Sequence, residues 1–294
     1  MQLIAESYDI LATAGGMTNP ELASAFTEWN QSELESYLIE ITAQIFAKPD
    51  DVDDGNGYVL DKILDKTGMK GTGRWTVQEA AEQSVPCSTI TAALDMRYLS
   101  ARKDERVKAS TILTGPTEIP SVDKGQLLDD CKNALYCAKI CSYAQGLELI
   151  KAASIANEWG INLSECARIW KGGCIIRAAF LDKIKSAYLK NPDLPNLLVD
   201  PEFAAELNRR HLSFRRIVTL CFACGIPCPA FAASLNYLDS YRKARLPANL
   251  TQAQRDFFGG HTYERTDREG QFHCAWSDAH HDIGDLGERT KGNI

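Results

Sequence analysis

Residues 68–76 read Gly-Met-Lys-Gly-Thr-Gly-Arg-Trp-Thr, with Gly71 and Gly73 flanking Thr72, Lys70 before them and Arg74 after. Glycines let backbone N–H groups approach an anion closely, and a hydroxyl and two cations add donors. Trp75-Thr76 opens what reads as a helix, whose free amides would point the same way. That is the chemistry of a phosphate or carboxylate cradle. The spacing is not that of a P-loop, and a short glycine-rich turn is also the composition of a plain surface loop. The motif alone leaves both readings open.

Other residues with chemical potential are scattered. Cys221, Cys224 and Cys228 are spaced like one stripe of a helix interrupted at Gly225. No second Cys or His pair lies near them, so the spacing predicts buried thiols rather than a metal site. Arg97 sits midway along a helical stretch, and Arg255 and His261 lie near the end; alone, each reads as a solvated or structural side chain. His280-His281 in the polar tail could hold a metal, but solvated tail is the simpler reading. The acidic turn at 50–57 lacks the ligand pattern of a calcium loop.

The 294 residues are 45% hydrophobic and 24% charged, which is ordinary globular composition. A net charge of −7 excludes a general nucleic-acid or membrane-surface binder, so any bound anion must be held by a local cluster. No secretory signal reads from Met1, and ten cysteines mainly within apolar helical patterns predict thiols in a reducing compartment. The uncharged run 217–235 approaches membrane-spanning length, but Gly225, Pro227 and Pro229 divide it, which predicts two buried helical segments joined at a turn.

The elements that must position these residues read as nearly all helix, because no stretch alternates with period two for long enough to make a core strand. The first helix starts uncapped in mid-pattern at Met1, as though residues before it were missing, with Leu3, Ile4, Ser7, Ile10 and Leu11 on one face, and Gly15-Gly16 ends it. Asn19-Pro20 predicts the next start, and Asn30 with Glu33 predicts another. Short helices are expected at 59–64 and 77–84, and a long one over 89–106. Thr251 with Gln254 predicts a last short helix carrying Arg255, Phe257 and Phe258, stopped by Gly259-Gly260.

From about Lys132 the pattern begins again. Trp29 matches Trp170, Val85-Pro86-Cys87 matches Ile226-Pro227-Cys228, and Ala93-Leu94 matches Ser234-Leu235, all at an offset of 141. Leu3-Ile4 matches Leu149-Ile150 at an offset of 146. Several matches at one offset predict a duplicated helical unit, with halves of about 1–130 and 131–260, forming one large all-α body.

Four stretches carry a family resemblance. The cradle at 68–76, Arg97-Tyr-Leu-Ser-Ala-Arg-Lys-Asp-Glu-Arg106, Trp170-Lys-Gly-Gly-Cys-Ile-Ile-Arg177 and Gln252-Ala-Gln-Arg-Asp-Phe-Phe-Gly-Gly-His-Thr-Tyr263 together resemble 6-phosphogluconate dehydrogenase, in that family's order and spacing. The resemblance spans residues 1–276 and covers the family's all-helical C-terminal domain, itself a duplication. It implies oxidative decarboxylation of 6-phosphogluconate to ribulose 5-phosphate with reduction of NADP. It implies that Lys70, Thr72 and Arg97 bind the substrate phosphate, and that Arg255 and His261 enter the partner's site in a homodimer. Arg74 stands where the family more often has lysine. The tail 277–294 departs from the family.

The same resemblance places the family's NADP-binding Rossmann domain, catalytic lysine and catalytic glutamate before Met1. No glycine fingerprint follows a strand in these residues, so the chain alone is expected to be inactive. The other readings are a non-catalytic helical dimerisation remnant and another hydroxyacid dehydrogenase of related build; the cradle with Arg255 and His261 argues against the latter. No metal, nucleic acid or membrane is expected. A cytoplasmic location is expected, or a plastid one if a transit peptide preceded Met1.

Overall fold

The computed structural model describes residues 1–52, 57–68, 70–116 and 118–276. The tail 277–294 with His280-His281, Met69 of the cradle and residues 53–56 of the acidic turn lie outside the described residues. Twelve α-helices occur among the described residues, and they divide into two compact units, 1–241 and 242–294.

The larger unit begins with α1 (Gln2–Thr13), which has no side-chain cap and buries Glu6, Ser7, Ile10 and Leu11. Then α2 (Asn19–Trp29) packs on α3 (Tyr37–Ala47). The start of α2 is one residue earlier than Asn19-Pro20 suggested. Thr18 is the cap, and the Glu21 carboxylate accepts from its N–H at 2.7 Å, while Asn19 donates to Asp61. The Asn30-Glu33 pair does not start α3. Asn30 ends α2 and accepts from the Ser36 N–H; Ser36 caps α3, accepting from the Ile39 N–H. Glu33 instead meets Arg210 at 2.7 Å, and Arg210 is itself 7% exposed. A short 3-10 turn at Val59–Lys62 stands where an α-helix was expected.

Next, α4 (Thr72–Glu82) begins five residues before the expected 77, directly at the cradle. The helix expected over 89–106 is two: α5 (Ser88–Ala101) and α6 (Lys103–Ser110), which meet at Arg102, whose ψ is 45°. The second run comprises α7 (Lys124–Ala156), α8 (Leu163–Ile169), α9 (Phe180–Lys190), α10 (Pro201–Cys224) and α11 (Pro229–Tyr241). Gly225, with φ 67°, caps α10 in the left-handed region and divides the apolar run as expected. Among the described residues no helix is long and apolar enough to cross a membrane.

Contacts between the two runs respect the sequence offset. Trp29 ends α2 and Trp170 caps α8, and both α2–α3 and α8–α9 are packed pairs. α5 packs on α11. The N–H groups of Ala230 and Phe231, opening α11, donate to the buried Glu6 carboxylate of α1 at 2.9 Å each. At the offset counterpart of Ala230, the Thr89 N–H of α5 donates to Gln145 Oε1 of α7 at 3.0 Å. One buried acceptor from each long neighbour thus satisfies orphan amides at the start of the other run's helix. A short antiparallel bridge pairs Ser36 with Ala178 between the runs.

The core wraps α7, whose small residues let α10, α11, α1 and α5 approach. Tyr136, Phe180, Phe203, Phe214 and Phe231 fill it. All ten cysteines are free, and seven are buried, including Cys221, Cys224 and Cys228. Burial pushes the Cys131 and Cys137 thiols up to about 12, as expected for packing thiols.

The smaller unit holds α12 (Ala248–Gly259) and a two-stranded hairpin, β1 (Tyr263–Glu264) with β2 (Gln271–Phe272). α12 starts at Ala248, so Thr251 lies inside it rather than capping it. The fully buried Asp256 organises the unit: it meets His273 Nδ1 at 2.8 Å and accepts from Trp276 Nε1 at 2.7 Å and Cys274 N–H at 3.2 Å.

Candidate anion site

The cradle is the start of α4. Gly71 caps it at φ 114°, a conformation that side-chain-bearing residues rarely adopt, and Thr72, Gly73 and Arg74 form its first turn. A Cβ on Gly71 would meet the Trp75 ring at 3.2 Å, and one on Gly73 would meet Leu94 of α5 at 3.2 Å. Both glycines therefore have steric reasons. The first turn of α4 has no side-chain cap and no acidic residue, so its amides keep their partial positive charge. Lys70 and Thr72 are exposed beside it.

Gly73 against Leu94 brings this turn onto α5, the helix that carries Arg97. Arg97 is half-buried, and its nearest side-chain partner is the Met1 sulfur, at 3.9 Å. Neither Lys70 nor Arg97 has a carboxylate partner among the described residues. Two unpaired cations, a hydroxyl and a helix start on adjoining elements suit a dianionic group. Arginine offers forked hydrogen bonds, and lysine offers a compact charge.

Thr72 and Thr76 also face a largely apolar groove of about 880 Å³ that extends along α7 to Trp159, Trp170 and Ile175. Lys139 lines it. Burial lowers its ammonium to about 8, and it lies 4.8 Å over the Phe180 ring. Sequence reasoning missed this residue, although a signal existed: it is the one charged residue between Asn133 and Leu147.

In the smaller unit, Arg255 and His261 are linked through Gln252. Arg255 Nη1 donates to Gln252 Oε1 at 3.1 Å, while Gln252 Nε2 donates to the carbonyls of His261 and Thr262 at 2.7 and 2.6 Å. The diglycine that follows Phe258 has two separate causes. A Cβ on Gly259 would lie 2.8 Å from the His261 ring, and Gly260 closes α12 at φ 60°. Gln252 lies within the fourth resembling stretch, yet only the structure reveals it as the link.

The family model described as 6-phosphogluconate dehydrogenase, C-terminal domain, matches residues 1–276. A decarboxylating 6-phosphogluconate dehydrogenase 2 of Arabidopsis thaliana is 60% identical over 281 residues, covering 94% of this chain and 57% of that protein. A chloroplastic form from the same plant is 58% identical over 284 residues, covering 94% of this chain and 58% of the relative. The Plasmodium falciparum 6-phosphogluconate dehydrogenase, solved apo, with its cofactor NADP+ and with its substrate 6-phosphogluconate, superposes with a TM-score of 0.88 at 49% identity, over 94% of this chain and 59% of that one. The chain spans somewhat more than half the length of these relatives. Over that span it belongs to the 6-phosphogluconate dehydrogenase family, as a representative of that family's helical C-terminal domain.

Proposed function

We propose that this chain is the substrate-binding and dimerising part of an NADP-dependent, decarboxylating 6-phosphogluconate dehydrogenase. The observation that carries this is the cradle itself: Lys70 and Thr72 at a glycine-built start of α4, packed on the helix that carries Arg97. In this reading Lys70, Thr72 and Arg97 hold the phosphate of 6-phosphogluconate. The uncompensated charges orient the sugar acid, so that its reacting carbons always fall at one place. NADP, when bound, accepts the hydride. The general base and acid, like the coenzyme site, come from outside residues 1–294, and these residues alone do not turn over.

Arg255 and His261 act on the site of a second copy, and the protein is a homodimer. Gln252 supports this role, because it presents the two as one unit. We also read residues 1–130 and 131–260 as copies of one helical unit, on the offset shared by the Thr89 and Ala230 amides. The compartment is cytoplasm or plastid; several plant relatives are named as chloroplastic.

Complementation tests the shared site. In protein joined to a coenzyme-binding domain, Lys70→Ala and Arg255→Ala subunits should each be nearly inactive. Mixed dimers should regain activity, because one site in each keeps both residues. Absence of recovery in verified heterodimers would contradict the shared site.

A further inference from the structure

The segment that leads into the cradle is fastened to α5 and α6 just beyond Arg97. Lys103 Nζ meets Asp65 Oδ1 at 2.5 Å, and Arg106 Nη2 meets Asp65 Oδ2 at 3.0 Å. The same Arg106 nitrogen donates to two main-chain carbonyls, Asp65 O at 3.1 Å and Ser100 O at 3.2 Å. The Thr67 N–H donates to Ser100 Oγ at 3.1 Å, and the two hydroxyls lie 3.0 Å apart. Ser100 Oγ in turn donates to the Arg97 carbonyl at 2.8 Å.

These contacts tie backbone to backbone. The break between α5 and α6 at Arg102 is what turns Lys103 and Arg106, three residues apart on one helical face, onto Asp65. Ending α5 at Ala101 leaves its last carbonyls without intrahelical partners, and Arg106 satisfies that of Ser100. An exposed ion pair alone contributes little. Here one carboxylate takes two cations, which hold its acid well below the usual carboxylate range, at about 2, so it stays charged at any working pH. Both neighbouring cations are thereby occupied, while Lys70 and Arg97 stay unpaired among the described residues.

We propose that Asp65, with Ser100, Lys103 and Arg106, is a positioning latch that sets the Lys70 segment against Arg97 and so fixes the spacing of the two cations that take the phosphate. The inference rests on the anion-binding reading of Lys70 and Arg97. Asp65 touches no ligand; it acts through the segment it holds.

The test uses the full chain in four forms: wild type, Asp65→Asn, Ser100→Ala and Lys70→Ala. Amide hydrogen exchange is read at residues 66–71, and calorimetry measures binding of 6-phosphogluconate against gluconate. Asp65→Asn should speed exchange at Thr67 and its neighbours at least about tenfold and weaken 6-phosphogluconate binding about tenfold. Exchange in α4 and α10, and the melting temperature, should stay unchanged, which a general structural role would not permit. Ser100→Ala should speed exchange at Thr67. Unchanged exchange in Asp65→Asn would overturn the latch, and faster exchange with undiminished phosphate affinity would overturn its positioning role. A wild-type chain that takes up no 6-phosphogluconate would overturn the underlying anion-binding reading, a result distinct from either.

Discussion

Lys139 lines the apolar groove, 4.8 Å over the Phe180 ring, and burial lowers its ammonium from 10.5 to about 8. The folded state therefore binds this proton less tightly than the unfolded state. Its cost is fully present below pH 8 and fades as pH rises towards 10.5. Lys139→Met should stabilise the chain by about 2 kcal/mol at pH 7 in urea melts, and the advantage should shrink between pH 8 and pH 10.5. At Gly71, alanine must adopt φ 114° and meet Trp75, which should cost about 1–2 kcal/mol by the same melts. The two glycines of the cradle were legible as residues allowing close approach. The environment of Lys139 was not, because what surrounds a side chain three helices away is not written beside it. Glu33 misled for the same reason: its local pattern suited a cap, while Arg210, distant in sequence, claimed its carboxylate.

Helices were legible from apolar periodicity, but their starts were not, since caps compete with tertiary partners. The α5–α6 break shows the limit: 89–106 has continuous helical propensity, yet two helices meet at Arg102, and Lys103 and Arg106 beyond it pair with Asp65, which lies far back in the sequence. The paired caps on α5 and α11 give a test at this scale. Burial raises the Glu6 acid above its ordinary 4.5, so the folded state retains its proton more strongly than the unfolded. Its charged form costs stability as pH rises from 4.5 through the folded value. Glu6→Gln supplies the single carbonyl acceptor that Gln145 uses on α5, which serves one of the Ala230 and Phe231 amides without a buried charge. Relative to wild type its stability should improve between pH 4.5 and pH 7, while Glu6→Ala, which leaves the Ala230 and Phe231 amides unsatisfied, should lose about 2–3 kcal/mol. Denaturant melts of both variants at the two pH values decide it.

The all-helical body was legible because apolar residues recur at helical spacing along most of the chain and no stretch alternates with period two. The division after Tyr241 was not, because α12 continues the helical pattern while its contacts turn inward on Asp256. A chain ending at Tyr241 should keep its helical circular dichroism and a cooperative melt; loss of both would contradict the autonomy of the larger unit. The central claim is the anion binding proposed for Lys70, Thr72 and Arg97. Calorimetric titration of the 294-residue chain with 6-phosphogluconate and gluconate, alongside Lys70→Ala and Arg97→Ala, addresses it most directly. The account predicts phosphate-dependent binding that each variant weakens by about 1.5–3 kcal/mol, the contribution of a hydrogen bond to a charged group. Equal binding of the two sugar acids, or binding unchanged in both variants, would contradict it.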